Sequence, residues 1–92
     1  MRNFTAFRSF CLGLLSAASA FGQKVYLNPS DQNGNAVAGG GNEAQYALIN
    51  ANLTEDILDA AGLNSKVDQD FYNSPYNANS WGADIFVSIH SN

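Results

Sequence analysis

Three polar residues stand where an α/β sheet collects its ligands. Asp31 follows the first predicted strand, Glu43 opens a predicted helix, and His90 closes the last predicted strand. Because the carboxyl ends of parallel strands meet at one edge of a sheet, we expect these side chains to lie near one another. A catalytic zinc takes about three nitrogen or oxygen ligands and keeps one position open for water. The pattern is therefore compatible with a zinc site formed by Asp31, Glu43 and His90.

Each of these residues also has a purely structural interpretation. Glu43 suits the first turn of a helix, where its charge complements the helix dipole. His90 suits a hydrogen bond at the end of a strand, and it is the only histidine in the chain. Asp31 suits an Asx turn after Pro29. Residue types and spacing alone leave both interpretations open at all three positions.

The helix that begins at Glu43 is the element that the sequence predicts most clearly. Asn42 is a suitable N-cap, and Gly62 suits the position just after the carboxyl end. Apolar residues recur every three or four positions up to Ala61, so we expect an amphipathic helix with a broad buried stripe. That stripe comprises Tyr46, Ile49, Leu53, Ile57 and Ala60, with Ala47, Ala51, Leu58 and Ala61 alongside.

Three predicted strands accompany this helix. Residues 24–27 form a short β-prone run, and residues 64–68 form a weaker, charged strand that suits a sheet edge. Residues 84–90 form a β-branched and aromatic run, typical of a strand covered on both faces. Residues 71–80 are predicted as a loop that leads into one helical turn over 77–82. This order predicts an α/β fold with a mostly parallel sheet and flanking helices.

The first twenty residues have the pattern of an export signal. Two arginines and no acid accompany an apolar stretch over residues 10–21, about half the ~20 residues that a membrane-spanning helix needs. The small residues that end at Ala20 predict cleavage after this position. Cys11 falls in the removed segment, so residues 21–92 contain no cysteine. We therefore expect a secreted or periplasmic protein with no membrane span after cleavage.

Composition narrows the possible functions of residues 21–92. The chain is 46% hydrophobic and only 13% charged, which argues against a disordered tail and against a coiled coil. After signal removal two lysines face eight acids, so nucleic-acid binding, which needs clustered cations, is not expected. The remaining chain of about seventy residues is short for a complete α/β enzyme, so we expect an incomplete domain.

Two segments carry a resemblance to a known family. Residues 39–43 read Gly-Gly-Gly-Asn-Glu at a helix start, and residues 83–92 read Ala-Asp-Ile-Phe-Val-Ser-Ile-His-Ser-Asn. This arrangement resembles the zinc-dependent N-acetylmuramoyl-L-alanine amidases, a class of cell-wall hydrolases, over about residues 24–92. The resemblance covers only the amino-terminal part of that domain. It implies that Glu43 and His90 are zinc ligands and that the substrate is peptidoglycan.

The chain departs from the family pattern in two places. The family has its first metal-binding histidine in an Asp-Pro-Gly-His-Gly context, whereas residues 28–32 read Asn-Pro-Ser-Asp-Gln, so that Asp31 stands at the position of the histidine. The family's catalytic glutamate lies well after the Ser-Ile-His segment, and the 92 residues do not reach it. The resemblance therefore implies a fragment of an amidase that does not turn over substrate by itself.

Three functions follow from these observations. The first is zinc-dependent hydrolysis of the amide between N-acetylmuramic acid and L-alanine in peptidoglycan. The alternative is a non-catalytic secreted module that binds the cell wall or a glycan, in which aromatic rings stack on sugars, although rings in an interrupted loop cluster also suit a core or a lid. The rings available for this are Phe71, Tyr72, Tyr76 and Trp81. The third is a small secreted interaction protein with no related chemistry.

Overall fold

A computed structural model describes residues 22–90, so the predicted signal peptide and residues 91–92 of the family-like motif lie outside the described residues. The prediction of an α/β fold with a parallel sheet is confirmed. Three strands form an all-parallel sheet in the order β2-β1-β3, and two helices join them. The elements are β1 (Lys24–Pro29), α1 (Glu43–Ala60), β2 (Asn64–Val67), α2 (Ser74–Trp81) and β3 (Ile85–Ile89).

The central strand β1 has a different neighbour on each edge. The Asp68 N–H donates to the Leu27 carbonyl on the β2 side, and the Ser30 N–H donates to the Ile89 carbonyl on the β3 side. Pro29, which has no N–H, lies past Leu27, the last β1 residue paired with β2. Its missing donor therefore costs the sheet no ladder bond.

Helix α1 begins at a capping box. The Asn42 side chain accepts a hydrogen bond from the Gln45 N–H at 3.0 Å, and the Gln45 side chain accepts one from the Asn42 N–H at 3.0 Å. On the sheet side, Ala51 is fully buried against Val25 and Leu27. A methyl side chain at this position lets the helix backbone approach the sheet closely.

The broad buried stripe predicted for α1 is wrong over much of its width. Ala47 and Ala51 are buried and Leu58 is half-buried, but the remaining apolar side chains are exposed. Helix α1 lies mainly over β2 and β1, so the outer part of its apolar arc meets no other element among residues 22–90. The exposed members are Tyr46, Ile49, Leu53, Ile57, Ala60 and Ala61.

The prediction that the last strand is covered on both faces is also wrong for the described part of the chain. Ile85, Phe86 and Val87 are 37–48% exposed. The reason is that β3 forms an edge of the sheet, beyond the reach of most of α1. Phe86 is covered in part, because its ring stacks on that of Tyr26 at 5.7 Å. Strand β2 forms the other edge, as its charges predicted.

Helix α2 is longer and earlier than the single turn predicted over 77–82. It begins at Ser74, inside the stretch predicted as a loop, and ends before Gly82, which adopts φ 80°. Pro75 lies in its first turn, where a proline costs no helical hydrogen bond. Neither helix between residues 22 and 90 is long and apolar enough to cross a membrane.

Trp81 closes α2 over the second face of the sheet. Its ring centroid lies 6.0 Å from that of Tyr26. The ammonium groups of Lys24 and Lys66 lie 5.2 and 5.5 Å from the centroid of the same ring. Lys24 also donates a hydrogen bond to the Trp81 carbonyl at 3.0 Å. Both cations therefore help to hold the end of α2 against β1 and β2.

A polar network lies under α2 at the end of β2. The Tyr26 hydroxyl donates a hydrogen bond to the Asp68 carboxylate, which also accepts from the Asn77 side chain at 3.1 Å and the Asp70 N–H at 3.0 Å. Burial, together with the adjacent carboxylate, raises the pKa of Tyr26 to about 12. Burial alone would raise the pKa of Asp68, but these hydrogen bonds outweigh it and lower the pKa. The contact therefore favours the neutral form of the Tyr26 phenol and the ionised form of the Asp68 carboxylate.

Candidate metal site

Glu43 and His90 meet at the carboxyl edge of the sheet. The Glu43 Oε2 atom lies 3.0 Å from the His90 Nδ1 atom. The Glu43 side chain is 2% exposed, whereas that of His90 is 39% exposed. Glu43 lies in the first turn of α1, as its structural interpretation also predicted. The pair therefore combines a fixed, buried carboxylate with an imidazole that a ligand from solvent can reach.

Asn35 holds the second oxygen of the Glu43 carboxylate. Its side-chain amide donates to Glu43 Oε1 at 2.9 Å, and its carbonyl accepts from the Glu43 N–H at 2.8 Å. The loop between β1 and α1 therefore folds back over the first turn of the helix. A carboxylate held in this way keeps one orientation, which is what the partners of metal ligands provide.

Gln69 ties three elements together beside this pair. Its side-chain amide donates to the Ser30 carbonyl at 2.8 Å and to the Ala44 carbonyl at 2.9 Å. Since the Ser30 N–H is bound to the Ile89 carbonyl, the end of β1, the first turn of α1 and the end of β3 are fixed to one another. Sequence reasoning missed Asn35 and Gln69, because both lie in polar loops rich in Asn, Asp and Gln, where nothing distinguishes them from turn residues.

Asp31 lies exposed in the loop that follows β1. In the range 22–90 no group of three His, Cys, Asp or Glu side chains is placed to hold a metal ion. The backbone beside Asp31 is fixed, because the Ser30 N–H is bound to Ile89 and the Gln32 carbonyl accepts from the Ala44 N–H. The structure thus brings together two of the three residues that the sequence proposed as ligands.

The Glu43–His90 pair fits part of a zinc site. Two ligands of one tetrahedral zinc stand about 3.4 Å apart, given metal–ligand lengths of about 2.1 Å. The observed 3.0 Å separation is that of a hydrogen bond, and the two atoms need to part by only about 0.4 Å to reach the ligand spacing. An imidazole and a carboxylate are both accepted zinc ligands. These two residues would therefore supply two of the usual three protein ligands.

Gly41 permits the close turn that leads into the capping box. It adopts φ 80°, and a Cβ atom there would stand 2.8 Å from the Gln45 side chain and 2.9 Å from the Tyr46 ring. We expect Gly41→Ala to lower the free energy of unfolding by about 1–2 kcal/mol, through backbone strain and the contact with the capping side chain. Urea unfolding followed by circular dichroism measures this change.

Gly34 provides the matched control for this substitution. A Cβ atom at Gly34 meets nothing within 4 Å, and its backbone lies outside the left-handed region. Gly34→Ala should therefore leave the free energy of unfolding within about 0.5 kcal/mol of the parent chain. Equal effects of the two substitutions would show that the turn at Gly41 does not support the helix start.

Comparison with known proteins identifies no relative of this chain. No protein-family model matches the chain, and neither the curated proteins nor the solved structures include a significant match.

Proposed function

We propose that the chain is the amino-terminal part of a zinc-dependent N-acetylmuramoyl-L-alanine amidase, with Glu43 and His90 as two of its zinc ligands. The observation that carries the proposal is the 3.0 Å contact between the buried Glu43 carboxylate and the accessible His90 imidazole. Both residues come from the two segments that resemble the family, and both lie at the sheet edge where α/β proteins bind ligands.

The residues of the chain have distinct roles in this proposal. Glu43 and His90 hold the metal, and Asn35 orients the Glu43 carboxylate through Oε1. Gln69 keeps the first turn of α1 beside the end of β1. When bound, zinc would polarise the scissile amide and acidify the attacking water. The third ligand and the catalytic glutamate lie outside the pair, and Asp31 remains the residue of this chain proposed for the former.

The proposed substrate requires export. The arginine-containing, apolar segment that ends at Ala20 would direct the chain to the periplasm or the cell exterior, where peptidoglycan lies. The acidic balance of residues 21–92 agrees with a partner other than nucleic acid.

Zinc titration of the purified chain by isothermal calorimetry tests the metal site. We expect one weak site, and we expect Glu43→Gln and His90→Ala each to lower the affinity at least about tenfold, because a two-residue site has few ligands to lose. Asp56→Asn, an exposed acid on α1, is the matched control and should leave the affinity unchanged. Equal zinc affinity in Glu43→Gln, His90→Ala and the parent chain would refute the proposal.

Asp31 is tested in the same titration. If it moves into the site when metal binds, Asp31→Ala weakens zinc binding and Asp31→His strengthens it, because an imidazole restores the ligand type of the family. If Asp31 only occupies the turn after Pro29, Asp31→Ala retains the zinc affinity of the parent chain. The second result would remove Asp31 from the ligand set without affecting Glu43 or His90.

One observation favours the non-catalytic alternative. Phe71, Tyr72 and Tyr76 are 54%, 87% and 73% exposed, and such rings can stack on sugars. Trp81 differs from them, because Tyr26 and two lysines already contact its ring. Binding to insoluble peptidoglycan that survives a chelator and is lost in Tyr72→Ala would favour a glycan-binding module over the amidase.

A further inference from the structure

The chain contains a single Asn-Gly step, and it lies in the turn after β1. Asn33 and Gly34 are both exposed there. A Cβ atom at Gly34 would meet nothing within 4 Å, and no hydrogen bond to another of the described residues, 22–90, holds the Gly34 N–H. A glycine in open space and without such a bond can rotate its backbone nitrogen toward the side chain of the preceding residue.

We propose that Asn33 is a site of spontaneous covalent modification, by deamidation through a cyclic imide. The Gly34 nitrogen gives its proton to solvent and attacks the side-chain carbonyl carbon of Asn33. The ring closes, and the side-chain nitrogen takes up a proton and leaves as ammonia. Water then opens the ring at one of its two carbonyl carbons, so that an aspartyl or an isoaspartyl residue replaces the asparagine. Both products add one negative charge, and the isoaspartyl product also adds one methylene group to the backbone.

Two asparagines at α2 provide the contrast within the same chain. Asn73 is the N-cap of this helix, Asn79 lies inside it, and each precedes a serine. The backbone N–H that follows Asn73 donates to the Asp70 carbonyl at 3.1 Å. A nitrogen that is bound in this way, or within a helix, cannot turn back on the preceding side chain without breaking its hydrogen bond. The fold therefore protects these two steps and leaves Asn33 reactive.

The reactive turn lies between two contacts that fix the start of α1. The Gln32 carbonyl accepts from the Ala44 N–H at 3.2 Å, and the Asn35 carbonyl accepts from the Glu43 N–H at 2.8 Å. An extra methylene group at Asn33 lengthens the backbone between these two contacts, so they cannot both keep their geometry. All of them lie within residues 32–44, and the reaction itself does not depend on the proposed zinc site. The isoaspartyl product should therefore loosen the first turn of α1.

Peptide mapping by mass spectrometry tests the reaction. The purified chain is incubated in heavy-oxygen water at mildly alkaline pH, once folded and once in urea. The rate in urea divided by the rate in the folded chain gives the protection at each asparagine, which removes the intrinsic difference between a following glycine and a following serine. We expect the protection at Asn33 to be at least about tenfold smaller than at Asn79. Equal protection at the two residues, or no conversion at Asn33, would overturn the proposal.

Gly34→Ala tests the attacking atom in the same assay. The added methyl group crowds the nitrogen, so conversion of Asn33 should slow at least about tenfold, while Asn79 should react at its former rate. The substitution is expected to leave the fold unchanged, since its Cβ atom meets open space. Unaltered conversion of Asn33 in this variant would show that the Gly34 nitrogen does not attack, which contradicts the proposed route.

Hydrogen exchange measured by NMR tests the effect on α1. The isoaspartyl form is separated from the parent chain by ion exchange. Its Glu43 and Ala44 amides should exchange at least about tenfold faster than those of Asn33→Asp, because that variant carries the same charge on an unchanged backbone. Equal exchange in the isoaspartyl form and in Asn33→Asp would refute the coupling between this turn and the start of α1.

Discussion

The free energy of unfolding should fall as pH rises above about 10 and as pH falls below about 4. The Tyr26–Asp68 hydrogen bond under α2 causes both losses. The pKa of Tyr26 is raised to about 12 in the folded chain. The hydrogen bond therefore contributes fully to the free energy of unfolding below the unfolded-state pKa near 10, and this contribution is lost as pH rises through about 12. Solvent screening at this partly buried hydroxyl reduces the contribution below the full equivalent of that shift, to about 1 kcal/mol.

The acid side has the opposite sign. The pKa of Asp68 is lowered in the folded chain, so its contribution is present above the unfolded value near 4 and is lost as pH falls through the lower folded value. Chemical unfolding across pH measures both changes. Tyr26→Phe should remove the alkaline loss, and Asp68→Asn should reduce the acid loss.

Tyr76→Phe is the matched control for the alkaline limb. Tyr76 lies on α2 and is 73% exposed, so removal of its hydroxyl should leave the pH dependence unchanged. An alkaline loss of equal size in Tyr26→Phe and the parent chain would show that Tyr26 does not cause it.

Leu27→Ala should lower the free energy of unfolding by about 2–4 kcal/mol. Leu27 is 1% exposed at the centre of the sheet and packs with Val25 and Ala51. The core of this short chain contains few large side chains, so the residues around Leu27 cannot repack to fill the cavity that the substitution leaves. Urea unfolding at neutral pH measures the loss, which is a large part of the total stability expected for a chain of this length.

Leu53→Ala is the control for the core substitution. Leu53 is 59% exposed on α1, so the same truncation there should cost less than about 1 kcal/mol. Similar losses for Leu27→Ala and Leu53→Ala would show that the outer arc of α1 is buried in the folded protein.

The order and type of the elements could be predicted because their signals are local. Asn42 and Gly62 delimit α1, and the β-branched run from Ile85 predicts a strand. Burial could not be predicted in the same way, because it depends on which elements lie nearby. The apolar pattern of Leu53 and Val87 indicates side chains suited to burial, and the described residues leave both exposed.

The part of the candidate site that follows from the topology of the sheet could be predicted from the sequence. Glu43 begins a helix and His90 ends a strand, so a parallel sheet brings them to one edge. The contacts of Asn35 and Gln69 depend on how two polar loops fold over that edge. The conformation of these loops has no periodic signal in the sequence, so the contacts could not be predicted. Asp31 illustrates the same limit, because two residues past the end of β1 the direction of a side chain depends on the loop and not on the sheet.

The environment of Trp81 gives the chain an intrinsic optical reporter. It is the only tryptophan, and two ammonium groups lie within 5.5 Å of its ring centroid. Charges near an indole shift the energy of its excited state, and Tyr26, with its ring centroid 6.0 Å away, is close enough to transfer excitation energy to it. Separation of α2 from β1 and β2 would therefore change both the emission wavelength and the tyrosine-sensitised intensity. The fluorescence of the unlabelled protein thus reports on one face of the sheet, independently of the Glu43–His90 pair.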